Sequence, residues 1–296
     1  MSDAGAFMAQ ELASQPEMWS RAITQTDDER KLPAAGQRVA VVGCGTSWFM
    51  AQSYASLRET AGLGITDAYA ASEAFVDRDY DAIIALTRSG TTTEVLELLE
   101  HVGNRARTIA IIGDTDTPIV DMVNDVIAFP YADEKSVVQT RFATTALTFL
   151  RHSTGADVSA QIADTEKIVT EELAPELIDA EQFSFLGRGW TTGLAHEAAL
   201  KMREASQSWT ESYSAMEYRH GPISIAAPGR VSWMFGDAPS GLADSVAAAG
   251  AHFENADLDP VADLVRAQRV ALQRALGAGL DPDSPRNLTR SVVLDA

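Results

Sequence analysis

One helical segment of the sequence brings together side chains that can carry protons. The residues GLAHEAALKMREAS (193–206) follow a helical pattern, and Glu197, Lys201 and Glu204 fall four and three residues apart. These spacings place all three on one stripe of a helix. A buried glutamate on such a stripe could move a proton, whereas a solvent-exposed Glu–Lys pair would contribute only a few tenths of a kcal/mol. The stripe geometry alone leaves both interpretations open.

A histidine follows in the motif YRHGP. His220 stands directly before Gly221 and Pro222, which predicts that it lies in a turn. Turns on a rigid scaffold are common places for catalytic groups. Because histidine titrates near neutral pH, His220 and Glu204 could together move protons to and from a sugar.

Two further motifs are rich in hydroxyl groups. GCGTSW (43–48) and TRSGTTTE (87–94) each follow a short apolar run. Hydroxyls, backbone amides and a guanidinium are the donors that a phosphate monoester requires. Helix capping is the alternative, but it uses one hydroxyl per helix, whereas the second motif places four hydroxyls close to Gly90, at Thr87, Ser89, Thr91 and Thr92. The predicted phosphate-binding residues are Gly45, Thr46, Ser47, Thr87, Arg88, Ser89 and Thr92.

The apolar runs alternate with helical segments. This pattern predicts parallel sheets covered by helices, with ligands at the carboxyl ends of the strands. A strand, a Gly-x-Gly turn and a helix occur twice, at Gly43 and again at Gly187. The expected organisation is an N-terminal helical arm (1–34), a first α/β domain (35–155) and a second one with the C-terminal tail (156–296).

Nucleotide-binding motifs fit less well. Gly43 and Gly45 lack a third glycine, since Trp48 stands in its place, and the sequence has no GxxxxGK[ST] element. GRGWTTG (187–193), with Glu211 at the distance of a ribose ligand, leaves a nicotinamide-dependent dehydrogenase as a rival hypothesis.

Composition limits the partners. The 296 residues are 46% apolar and carry a formal net charge of -19, which disfavours nucleic acid and anionic membranes as partners. A single cysteine, Cys44, excludes an intramolecular disulfide and suits a reducing cytoplasm. We also expect no membrane span, because no apolar stretch approaches the required length.

The motifs resemble those of a known family. GCGTS, TRSGTTTE, SVVQTRFAT, FLGRG with EAALKMREAS, YRHGP and SPRNLTRSV occur here in that order. This order is similar to the isomerase half of glucosamine-6-phosphate synthase and to its stand-alone relatives in the sugar isomerase (SIS) family. The resemblance implies two SIS domains, each a parallel β-sheet sandwiched between helices, and a hexose or hexosamine 6-phosphate as substrate.

The resemblance also implies roles for individual residues. Glu204 would shuttle a proton between C1 and C2, Lys201 would stand beside it, and His220 would open the sugar ring from the neighbouring subunit of a homodimer. The hydroxyl motifs would hold the phosphate and nearby hydroxyls, and Val137 and Gln139 would close the sugar site. No cofactor and no metal are implied.

Three departures from the family pattern change the expected chemistry. The glutaminase half is expected to be absent. Arg88 and Gln139 replace a glutamine and a serine. Arg290 stands in the substrate site where the synthase has an imine-forming lysine, and a permanently charged arginine cannot form an imine.

The resulting hypothesis is an aldose–ketose isomerase that acts on an amino-sugar 6-phosphate, with release of ammonia preferred over pure isomerisation. A phosphosugar-sensing regulator without catalysis is the alternative.

Overall fold

The computed structural model describes residues 4–294 and contains nine strands and eleven α-helices within them. The strands are β1 Val39–Gly43, β2 Thr66–Ala70, β3 Ala82–Thr87, β4 Arg107–Ile112, β5 Asp125–Ala128, β6 Gln182–Gly187, β7 Thr210–Ser214, β8 Arg230–Met234 and β9 His252–Glu254. The helices are α1 Ala6–Ala13, α2 Gln15–Ala22, α3 Thr26–Glu29, α4 Thr46–Thr60, α5 Thr93–Val102, α6 Arg141–Ser153, α7 Ser159–Ile168, α8 Pro175–Ile178, α9 Thr191–Ser206, α10 Leu242–Ala248 and α11 Pro260–Gly277.

The first sheet has five strands in the order β2-β1-β3-β4-β5, and every pair is parallel. β1 and β3 are buried along their whole length, as expected for apolar strands covered on both faces. Val95 and Leu99 of α5 belong to one buried cluster with Ile83 and Ala85 of β3. The parallel α/β architecture predicted from the alternating pattern is therefore confirmed for this part of the chain.

The second sheet has four strands in the order β7-β6-β8-β9, again all parallel. Side chains of β6 and β8 alternate between its two faces. Phe185 and Trp233 lie in one aromatic stack with a ring-centroid distance of 5.8 Å. Leu186 and Met234, the next residues along, pack with α10 in a separate buried cluster. One strand pair thus supplies the apolar surface for two helical layers.

Each sheet has a point where its strand order reverses. From β1 the chain first adds β2 on one side and then β3 on the other, and β6 is flanked by β7 and β8 in the same way. A crevice forms at the carboxyl ends of the two strands at such a point, and ligands bind there in open α/β sheets. The loops after β1 and β3 are the predicted phosphate motifs, so the fold places them together.

The chain forms two compact units, one around each sheet. The unit of the first sheet includes Glu17–Lys135 and Gln139–Val158, and the tail from Thr289 packs in it. The unit of the second sheet includes Ser159–Leu288, the segment Ser136–Val138 and the chain up to Pro16. This division differs from the one expected from sequence, which kept the arm as one piece and assigned the tail to the second domain. The tail belongs with the first sheet because it hydrogen-bonds to the loops around β3, as described below.

Candidate functional site

The loop after β1 makes a tight turn into α4. Gly45 has φ of 52°, in the left-handed region that favours glycine. A Cβ at Gly43 would lie 2.7 Å from the Cβ of Ser47, so the turn requires glycine there too. Thr46 and Ser47 are buried directly after this turn. α4 receives no side-chain cap at its N-terminus, so helix capping does not account for these hydroxyls.

The thiol of Cys44 lies in the same turn. Burial, with a smaller contribution from the charge of Glu94, raises the pKa of this thiol above its usual value. A raised pKa favours the neutral thiol, which is a poor nucleophile. The turn therefore presents hydroxyls and amides rather than a reactive thiolate.

The loop after β3 carries the second set of hydroxyls. Thr87, Arg88 and Ser89 are all buried. Gly90 has φ of 64°, and a Cβ there would lie 2.3 Å from Thr117 Oγ1, so this turn also needs glycine. Thr92, which precedes α5, makes no side-chain cap bond. Within this loop, the hydroxyl oxygens of Thr87 and Ser89 accept hydrogen bonds from the backbone amides of Gly90 and Thr91, each at 3.3 Å.

Arg88 brings positive charge to this loop. Its guanidinium lies 3.9 Å from the carboxylate of Glu134, and both side chains are buried. Glu134 also accepts hydrogen bonds from the first backbone amides of α6, at Arg141 (2.7 Å) and Phe142 (3.1 Å). Glu134 is therefore held by a helix N-terminus, which favours its negative charge.

Arg290 of the tail lies beside the same loop. Its guanidinium donates to both oxygens of Asp133, at 2.7 and 2.8 Å, and to the backbone oxygen of Glu134. Arg88 in turn donates to the backbone oxygen of Arg290 at 3.0 Å. Arg290 thus fixes the tail: one guanidinium nitrogen donates to both carboxylate oxygens of Asp133, and the other donates to the backbone of Glu134.

The two residues expected to close the sugar site fall in different units. Gln139 lies with the first sheet, and its buried Nε2 has no hydrogen-bond partner among residues 4–294. Buried amide groups normally have partners, so this one is notable. Val137 lies with the second sheet, where its amide donates to the backbone oxygen of Asp283 at 3.2 Å.

The carboxylate and lysine stripe lies on α9. Glu197 and Lys201 are each only 1% exposed, and Lys201 Nζ lies 3.6 Å from Glu197 Oε1. Lys201 also hydrogen-bonds to Glu204, whose side chain is 19% exposed. Burial excludes the interpretation of a solvent-exposed ion pair. Burying an unpaired charge is costly, and here the ammonium of Lys201 lies between two carboxylates that offset its charge.

His220 lies apart from this stripe. It is the exposed last residue of a short 3-10 helix, Glu217–His220, which follows β7. Within the described part of the chain it has neither a hydrogen bond nor an ion pair. The other histidine of this region, His196 on α9, hydrogen-bonds to Ser212 (2.9 Å), and burial lowers the pKa of its imidazole, which favours the neutral form.

The predicted site residues are divided between the two units. The hydroxyl loops, Arg88 and Arg290 converge at the first sheet, and Glu204 with Lys201 lies on the first helix after β6. Sequence reasoning missed Ser291, Asp133 and Glu134, since a lone serine and two acidic residues carry no spacing signal. No helix within residues 4–294 is long and apolar enough to span a membrane, and no cluster of metal-ligating side chains is found among those residues.

Comparisons with known proteins agree with this geometry. No family model matches the chain. The glutamine–fructose-6-phosphate aminotransferase (isomerizing) of Synechocystis sp. is 28% identical over 88% of this chain and 52% of its own length. That of Methanothermobacter thermautotrophicus is 27% identical over 98% of this chain and 58% of its own length. The chain spans about half the length of the curated relatives it matches.

Solved structures share the whole fold. A glucosamine-6-phosphate deaminase from Thermotoga maritima superposes with a TM-score of 0.81 at 23% identity, covering 96% of this chain and 99% of its own. A tagatose-6-phosphate ketose/aldose isomerase from Escherichia coli gives a TM-score of 0.76 at 19% identity, covering 97% and 95%.

The fold and the two loops at its strand ends define the class: the chain has the fold of the SIS phosphosugar isomerases. Within that class it is homologous to the isomerase part of the glutamine–fructose-6-phosphate aminotransferases. The relationship predicted from the ordered motifs is therefore confirmed.

Proposed function

We propose that this protein is a cytoplasmic phosphosugar isomerase that converts a hexosamine 6-phosphate, of the glucosamine 6-phosphate type, to the ketose phosphate and ammonia. One observation carries the proposal: the buried Lys201 holds Glu204, whose carboxylate keeps limited access to solvent. A sugar-phosphate sensor would need the phosphate loops, but it would not need a buried charge network beside a carboxylate.

The phosphate would bind at the loops of the first sheet. Ser47 and the hydroxyls after β3 follow the carboxyl ends of β1 and β3, and Arg88 belongs to the second of these loops. Two helices of ten or more residues, α4 and α5, begin at these loops. Their N-terminal amides and partial positive charge favour an anion.

The chemistry would run through Glu204. His220 exchanges a proton with the ring oxygen and opens the sugar. Glu204 then removes the proton on C2 while the C1 carbonyl oxygen takes up a proton from water, which gives a 2-amino enol. Glu204 returns its proton to C1 while the nitrogen loses one to water, so the 2-amino aldose becomes a C2 imine with a C1 hydroxyl. Water hydrolyses that C=N bond, so ammonia leaves and a C2 carbonyl forms. Lys201 hydrogen-bonds to Glu204 and stabilises its carboxylate before it takes the proton from C2 and after it has returned that proton to C1.

The homodimer is supported by the surface around β7. This strand is an edge of its sheet, and Trp209 before it and Met216 after it are 76% and 46% exposed. Because a sheet edge has unpaired backbone groups, exposed apolar side chains at its two ends would suit contact with a second chain. His220 lies four residues beyond Met216, so a second copy of the chain on this surface would cover His220 and direct it into the partner's site.

Incubation with glucosamine 6-phosphate tests the proposal directly. We expect ammonia and fructose 6-phosphate to appear together in equal amounts, because each imine hydrolysis releases one of each. An enzyme-coupled ammonia assay and a fructose 6-phosphate assay on the same samples measure this.

Other outcomes separate the alternatives. If the protein interconverts fructose 6-phosphate and glucose 6-phosphate and releases no ammonia from glucosamine 6-phosphate, it is a pure isomerase rather than a deaminase. Tight binding of glucosamine 6-phosphate with no product after long incubation would favour the sensor.

A further inference from the structure

The tail carries a hydroxyl into the predicted phosphate loop. Ser291 Oγ lies 3.1 Å from Ser89 Oγ, 3.0 Å from Thr91 Oγ1 and 3.4 Å from Thr92 Oγ1. Four hydroxyl oxygens thus form one cluster, although Ser291 is 202 residues from Ser89 in sequence. Ser291 is the only member of this cluster that does not come from the loop after β3.

The tail is fixed on both sides of Ser291. Arg290 is tied to Asp133 by the ion pair described above. Beyond Ser291, the backbone oxygen of Val292 accepts from Thr93 N at 3.2 Å, and Leu294 N donates to Thr93 Oγ1 at 2.9 Å. Because contacts on either side hold the backbone, the position of the Ser291 hydroxyl is set by the tail as a whole.

Ser291 Oγ accepts hydrogen bonds from the hydroxyls of Ser89 and Thr91, so its own hydrogen remains for Thr92 or for a bound acceptor. Each serine or threonine hydroxyl carries one hydrogen and two acceptor lone pairs, so a cluster of four can turn its hydrogens toward a common acceptor. A phosphate group offers several strong acceptor oxygens, and its charge strengthens each hydrogen bond. The buried guanidinium of Arg88 and the N-terminus of α5 favour negative charge at the same place.

We infer that Ser291 is a fourth hydroxyl donor of the phosphate site, so that the docked tail and the sugar phosphate stabilise each other. This inference rests on the proposed function. By linkage, a docked tail that raises anion affinity must itself be held more firmly by a bound anion. The tail is then part of the binding site. Its backbone should be more rigid when an anion occupies that site than when the site is empty.

Binding measurements on Ser291 variants test the inference. We expect Ser291→Ala to weaken binding of inorganic phosphate and of glucosamine 6-phosphate about tenfold, the size of one hydrogen bond to a charged group. Ser291→Thr keeps the hydroxyl and should stay within about threefold of wild type. Ser245→Ala, which removes an exposed hydroxyl on α10 bonded only to a backbone oxygen, is the matched control and should change nothing. Calorimetry provides the affinities.

Hydrogen exchange of the tail amides supplies a second readout. Glucosamine 6-phosphate should slow exchange at Val292 to Leu294 in the wild-type protein, and much less so in Ser291→Ala. A general loss of structure would instead lower the thermal midpoint of Ser291→Ala, and the same samples measure that.

The possible failures can be told apart. If the wild-type protein and Ser291→Ala bind phosphate equally well, the inference about Ser291 is wrong, but the proposal of a phosphate site is still supported. If Ser291→Ala binds phosphate more tightly, the tail occupies the place of the anion and the inference is overturned. If wild type binds neither inorganic phosphate nor glucosamine 6-phosphate, the proposed function itself fails.

Discussion

Replacing Glu204 by glutamine is expected to lower kcat for a hexosamine 6-phosphate by about 10³-fold, within the range attributed to a general acid–base group. The amide keeps the shape of the side chain but cannot take a proton from C2. The affinity for the sugar phosphate should stay within about threefold of wild type, because the lost interaction acts in the transition state rather than in binding. Steady-state kinetics and calorimetry measure the two quantities separately.

The charge change needs its own control. Lys201 is buried between Glu197 and Glu204, so removing one carboxylate also alters a buried ion network. Glu166→Gln changes an exposed carboxylate on α7 in the same unit and should leave kcat and stability unchanged. If Glu204→Gln turned over substrate at the wild-type rate with an unchanged thermal midpoint, Glu204 would lose its proposed role.

A mixture of two inactive variants is expected to recover activity. If His220 serves the site of the neighbouring subunit, Glu204→Gln and His220→Ala each inactivate both sites of their own dimers. In a mixed dimer, one site has both changes and the other has neither. Random exchange makes half of the dimers mixed, so about a quarter of the wild-type activity per subunit should return.

Formation of the mixed dimers must be shown independently. Native mass spectrometry of differently tagged chains would count them, and the double variant Glu204→Gln/His220→Ala mixed with wild type is the matched control. In that control, each mixed dimer has two half-sites and no intact site if His220 acts across the dimer as proposed, and one intact site if His220 acts within its own subunit. Mixed dimers that stay inactive in the first experiment would place His220 in the site of its own subunit, and a monomer in solution would remove the dimer altogether.

Sequence patterns predicted most central strands and long helices but missed two strands. β2 (TDAYA) and β7 (TESYS) are polar, half-exposed sheet edges, so neither forms the continuous apolar run typical of a buried parallel strand. Along the chain, β7 lies between helix α9, which carries Glu204, and His220. Helix α6 begins at Arg141, where Glu134 accepts a hydrogen bond from the backbone amide.

The sequence by itself determined the local geometry of the site. Gly43, Gly45 and Gly90 make turns that another residue would obstruct or strain, and the hydroxyls beside them follow directly in the chain. The spacing of Glu197, Lys201 and Glu204 likewise fixed their common stripe, because a helix repeats every 3.6 residues. Such features depend only on neighbours within about two turns of backbone.

Tertiary structure decided which of these groups are buried and which distant residues join them. Whether the Glu197–Lys201 pair faces solvent or the interior depends on what packs against α9, and a helical pattern cannot contain that information. The same holds for Arg290 with Asp133 and for Ser291 with Ser89, which lie 157 and 202 residues apart. These contacts form because the tail packs against the first sheet. Contacts between residues so far apart in the chain have no characteristic sequence spacing from which they could be predicted.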